Sequence, residues 1–80
     1  MKLLVFVTQD SAADPTIDAL VEPGFRVTRL ASTGGFLRKG NTTLLVGVEE
    51  ANVERVIAIV RRTAPGALMI ALDLDRYERF

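Results

Sequence analysis

The chain has 80 residues, ten basic and ten acidic, and 49% of it is hydrophobic, which supports one compact domain over residues 1–80 with a single modest core and leaves no room for a second. Balanced charge supplies no overall field that gathers DNA, RNA or an anionic membrane regardless of sequence, so an anion has to be caught locally. With no histidine and no cysteine, a disulfide framework, a thiolate metal site and most catalytic constellations are excluded, and a cytoplasmic location is the default expectation.

Leu3 to Val7 is a short apolar run that stops at Thr8, Gln9 and Asp10, so it reads as a buried first strand rather than a signal peptide. No later apolar run reaches the roughly 20 residues that cross a bilayer as a helix. Ala13, Ile17, Leu20 and Val21 then recur at helical spacing up to Pro23-Gly24, which predicts the first helix. Its start is open between a cap at Ser11, with Asp14 completing a capping box, and a cap at Asp14 before Pro15.

Phe25 to Ala31 alternates Phe25 and Val27 with Arg26 and Thr28, the period of a strand with one buried face. Ser32 to Asn41 carries Gly34, Gly35 and Gly40 beside Arg38 and Lys39, a composition that regular structure uses poorly, so a long connection is expected. Thr42 to Val48 returns to strand character, and the two strands pair as a hairpin with an oversized loop. Val53, Val56, Ile57 and Val60 mark the apolar face of a second helix. Glu49 and Glu50 at its entrance and Arg61 and Arg62 at its exit complement the helix dipole. Pro65-Gly66 ends that helix, and Ala67 to Leu74 is the last strand.

The order βαββαβ predicts an α+β, ferredoxin-like sandwich with two helices on one face of a four-stranded antiparallel sheet. The first, third and last strands are apolar at consecutive positions, so both of their faces seek burial, yet the two helices cover only one. Each wet Val, Leu or Ile would forgo roughly 1.5–3 kcal/mol, a large loss for a small domain. A partner chain is therefore expected to cover the other face.

From Phe25 to Val48 the sequence runs FRVTRLASTGGFLRKGNTTLLVGV, and this string resembles the signature of the cyclic di-AMP receptor family, whose members are similar to P-II signalling proteins. The resemblance extends more loosely from Met1 through Gln9-Asp10 and the first helix, about three quarters of the chain in all. It implies a P-II-like homotrimer that binds a cyclic dinucleotide, cyclic di-AMP, in clefts between subunits. It further implies that the 32–41 loop relays occupancy to an unknown downstream protein, with no chemistry and no cofactor. The family's ligand contacts carry over to Arg26, Val27, Thr28, Gly34, Gly35, Phe36, Leu37, Asn41 and Gly47, and those of its aromatic ending to Arg79 and Phe80.

The residues make chemical sense in those roles. Arg26 and Thr28 offer a guanidinium and a hydroxyl to a phosphate or base edge. Main-chain amides near Gly34 and Gly35 approach an anion closely. Phe36 suits base stacking, worth about 1–3 kcal/mol in single-strand binders, and Asn41 has the donor and acceptor that read an adenine edge. Each also has a plainer reading: a solvated or subunit-bridging charge for Arg26, a loop anchor for Phe36, turn chemistry for the glycines.

Two motifs fail. Gly35 to Thr42 nearly spells a phosphate loop, but Asn41 stands at the lysine position and a strand follows where a helix is required. Asp73 and Asp75 alternate at a strand end, where solvated edge charges are the commoner reading, so no metal is expected.

The resemblance also has gaps. Family members carry a long extra loop before the last strand, where this chain has only Thr63 to Gly66, and often an asparagine at the position of Gly24. These departures leave an alternative expectation, a P-II-like trimeric protein-interaction regulator that has lost nucleotide binding.

Overall fold

A computed structural model describes residues 1–30, 40–76, 78 and 80. In chain order the elements are β1 (Lys2–Gln9), α1 (Asp10–Val21), β2 (Val27–Leu30), β3 (Asn41–Val48), α2 (Val53–Thr63) and β4 (Leu68–Asp73). The βαββαβ order is the expected one. The strands form a single sheet in the order β2-β3-β1-β4, with every neighbouring pair antiparallel. β1 and β3, with apolar runs at Leu3–Val7 and Leu44–Val46, hold its centre, while the equally apolar β4 lies at an edge.

Alternation along the strands selects the covered face. Leu4 and Phe6 of β1 and Leu44, Val46 and Val48 of β3 point to the helices and close a core with Leu20 of α1 and Val56, Val60 and Ala64 around α2. Where α1 meets α2, Thr16 is fully buried and donates to the Thr63 hydroxyl at 2.8 Å. Arg29 of β2 pairs with Asp14 of α1 at 2.5 Å, and Lys2 of β1 pairs with Asp73 of β4.

Several sequence expectations are corrected. Helix α1 begins at Asp10, before either candidate cap, and Pro15 lies within it. The reason is tertiary: the Asp10 main-chain N–H donates to the Gly40 carbonyl at 2.8 Å, so an orphan donor of the first turn is satisfied from across the fold. Val21, expected on the buried face, is exposed, and Thr16 takes its place in the core.

Strand β2 starts at Val27 rather than Phe25 because Phe25 still belongs to the helix end. Gly24 N–H donates to Val21 at 2.9 Å and Phe25 N–H to Leu20 at 3.1 Å, with Gly24 at φ +104°. This is a Schellman closure, and it packs Phe25 against the core beside Leu20. A short 3₁₀ turn, Glu50–Asn52, precedes α2, so Glu49 stands ahead of that turn and Glu50 opens it, neither on the helix, and Glu54 is the acid of the first turn of α2.

Among the described residues no helix covers the opposite, apolar face of the sheet, on which Leu3, Val5, Val7 and Leu45 are half-buried and Thr43 is buried. Register pairing lines Leu3 with Leu72, Val5 with Ile70 and Val7 with Leu68 on that face, with Leu45 beside Val5 on the other side. Every residue of β4 is exposed, among them Leu68 at 58%, Ile70 at 46% and Leu72 at 49%. Among the described residues, both helices lie on one face of the sheet, as the sequence predicts.

Candidate functional site

The candidate residues fall at the two ends of β3. At one end, Arg26 stands just before β2, exposed, and Thr28 is the next exposed residue on the same side of that strand. Val27 pairs with Val46, which sets Arg26 against Gly47 and Thr28 against Leu45 on the open face. Gly47, which carries no side chain, joins Gly24, Phe25, Arg26 and Glu49 in lining a cleft of about 290 Å³.

The wall of this cleft is fixed from behind. The Arg55 guanidinium lies 5.5 Å from the centre of the Phe25 ring, a cation–π contact that holds the ring side of the turn in place. Gly24 supplies the left-handed backbone there, a conformation that glycine adopts freely and asparagine tolerates best among other residues. Val27 differs from its neighbours: its side chain packs against the core, so its contribution on the open face is main chain alone.

At the other end, Asn41 is the first residue of β3 and pairs with Gln9, the last of β1. Both line a cavity of about 460 Å³ that also touches Ala12, Pro65, Gly66 and Leu68. Two carboxamides facing one opening give it paired donors and acceptors. The position of Asn41 is held from both sides by Asp10. Its main-chain N–H reaches the Gly40 carbonyl, and its carboxylate accepts the Thr42 hydroxyl at 2.5 Å, a charge-assisted length. Gly40 itself sits at φ +94°, where a side chain is strained.

Asn41 and Gly47 are six residues apart on one strand, about 20 Å at the rise of an antiparallel strand. The structure therefore brings Arg26, Thr28 and Gly47 together and sets Asn41 apart from them. Gly34, Gly35, Phe36, Leu37 and Arg79 lie outside the described residues. Phe80 is fully exposed and lines neither cavity.

Asp10 and Gln9 are missing from the residues nominated by sequence reasoning. Their signals are the abrupt change from an apolar run to polar residues at the end of β1 and the looser resemblance that reaches Gln9-Asp10. Of the two acids weighed for a cation, Asp73 is engaged by Lys2, whose hydrogen bond and charge hold its carboxyl below the usual carboxylate range. Among the described residues no cluster of three or more acidic residues is placed to hold a metal, and no helix is long and apolar enough to cross a membrane.

A family model described as cyclic-di-AMP receptor matches residues 1–71, running on past the Thr63 to Gly66 connection into β4. The fold is also similar to the crystal structure of a functionally unknown protein from Pediococcus pentosaceus, with a TM-score of 0.85 and 33% sequence identity. That match covers 99% of this chain and 96% of the other.

Proposed function

We propose that this chain, which belongs to the cyclic-di-AMP receptor family, is a cytoplasmic P-II-like sensor that binds cyclic di-AMP in clefts between the subunits of a homotrimer. It performs no chemistry. Occupancy is relayed through residues 32–41 to a downstream protein partner, and the ligand contacts are Arg26, Thr28, Gly35, Phe36 and Asn41 with the main chain at Val27, Gly34, Leu37 and Gly47. Arg79 and Phe80 of the tail close over the ligand.

The observation that carries this reading is the separation of Arg26 and Gly47 from Asn41 along β3. One compact ligand touches both ends only where the Arg26 end of one chain lies against the Asn41 end of another. The open apolar face supports the same arrangement, because an uncovered patch of this kind is a surface for a second copy of the chain. With Arg26 at one end and a pair of carboxamides at the other, the two halves match a phosphate and a base.

Calorimetry of the purified protein with cyclic di-AMP tests the ligand, with cyclic di-GMP and adenine mononucleotides as comparisons. Saturable heat for cyclic di-AMP alone is expected. Absence of heat for every nucleotide would favour the alternative, a trimeric interaction regulator without nucleotide binding. Mixing tests the shared cleft: Arg26→Ala and Asn41→Ala chains should each bind poorly alone. Unfolded and refolded together at equal amounts, they should regain about a quarter of the wild-type sites, since random assembly pairs two intact halves at that frequency. No recovery would place both halves of the site within one chain.

A further inference from the structure

We infer that Asp10 is a positioning residue for ligand recognition, holding Asn41 in its reading position without touching the ligand itself. The inference rests on the nucleotide reading above for its consequence, and on the geometry of β1, α1 and β3 for its mechanism. Asp10 makes two bonds to the residues on either side of Asn41: its main-chain N–H to the Gly40 carbonyl at 2.8 Å, and its carboxylate to the Thr42 hydroxyl at 2.5 Å.

The two bonds constrain different things. The first ties the left-handed Gly40, the last residue before β3, to the N-terminus of α1. The second locks the Thr42 side chain, which is buried on the helix side of β3. Alternation along β3 then sends Asn41 to the opposite, open side beside Gln9. With both neighbours fixed, the Asn41 backbone has little freedom left, and its carboxamide starts from one place at the mouth of the 460 Å³ cavity. Ordering a reader before the ligand arrives removes a conformational cost from binding.

A carboxylate also suits this position for an independent reason. Asp10 is the acid in the first turn of α1, where the helix dipole favours negative charge. The same side chain therefore stabilises the helix start and the strand start together. That coupling explains why α1 begins directly where β1 ends, with no intervening turn.

The test uses Asp10→Ala, which removes the carboxylate and keeps the main-chain bond, and Asp10→Asn, whose amide oxygen still accepts from Thr42. Cyclic di-AMP affinity should fall about tenfold in Asp10→Ala, the usual weight of a hydrogen bond to a charged group, and be largely restored in Asp10→Asn. In an Asn41→Ala background the Asp10→Ala change should cost nothing further, because the reader is already gone. An equal loss in both backgrounds, or none in either, would overturn the inference.

A ligand-free measurement keeps this separate from the nucleotide reading. In nitrogen-edited NMR spectra of the apo protein, Asp10→Ala should shift and broaden the Asn41 side-chain amide signals and speed amide exchange at Asp10. Asp10→Asn should leave them close to wild type. Unchanged Asn41 signals in Asp10→Ala sink the positioning role whether or not any nucleotide binds, whereas altered signals with no nucleotide heat would uphold the clamp and remove only the proposed ligand.

Discussion

The hydroxyl of Thr16 donates to the hydroxyl of Thr63 at 2.8 Å, and Thr63 in turn donates to the Ile59 carbonyl at 2.9 Å. This relay joins α1 to α2 at a fully buried point, since Thr16 has no exposed surface. The two ends of the relay differ. Thr63→Val strands a buried O–H donor on Thr16 and should cost about 1–3 kcal/mol, whereas Thr16→Val only removes a donor to an oxygen that keeps its own acceptor and should cost about 1 kcal/mol. The double variant should be milder than the sum, because it leaves no orphan. Urea denaturation at fixed chain concentration measures all three.

The pair of Lys2 and Asp73 ties the edge strand β4 to β1 and predicts a pH dependence. Hydrogen bonding to Lys2, and then its charge, hold the Asp73 carboxyl below its ordinary 3.8, while the same partner raises the Lys2 ammonium above its ordinary 10.5. A depressed acid contributes stability that is present above the unfolded pKa and lost as pH falls through the folded one. A raised amine contributes below its unfolded pKa and loses that contribution as pH rises through the folded one. The contribution is therefore complete at neutral pH and small, because both groups are solvated. Melting temperatures of wild type and Asp73→Asn should differ slightly at pH 7 and converge below pH 3.8. A gap that stays constant into acid would assign the effect to something other than the ion pair.

Ile70 lies opposite Val5 on the open face of the sheet and is 46% exposed in the single chain. If copies of the chain cover that face, Ile70→Lys places an unpaired charge in their interface and should yield a monomer in sedimentation velocity. Nucleotide binding should be lost with the assembly although no ligand contact has changed. A stable oligomer in Ile70→Lys would mean that subunits meet elsewhere.

Thr43 stands between Val7 and Leu30 on that same face, and its buried hydroxyl has no hydrogen-bond partner among the described residues. Thr43→Val keeps the shape and removes an unsatisfied polar atom, so stability should rise by about 1 kcal/mol. A loss of stability in the same denaturation experiment would indicate that the hydroxyl is satisfied in the assembled protein.

The elements themselves were readable along the chain. Alternation in Phe25 to Thr28, the helical recurrence of Val53, Val56 and Val60, and the stops at Pro23-Gly24 and Pro65-Gly66 carry local information, and each element appears where that information puts it. The boundaries that shifted are those decided by remote partners. Asp10 starts α1 because Gly40 accepts its N–H, and Phe25 is withheld from β2 because Leu20 accepts its own.

The candidate site divides in the same way. Residue types suited to a phosphate and a base, Arg26, Thr28 and Asn41, are evident from chemistry and from the resemblance of the surrounding string. Their distribution is not, because the register of β2, β3 and β1 sets Arg26 beside Gly47 at one end of a strand and Asn41 beside Gln9 at the other. Side-chain chemistry and periodicity are properties of neighbours in the chain, and the sequence by itself determined the fold class and the two-faced apolar strands of the sheet, and supplied the residue types on which the proposed ligand rests. Which residues stand together, and that Asp10 clamps the strand carrying Asn41, depends on contacts between segments about 30 residues apart, and only the tertiary structure decided them.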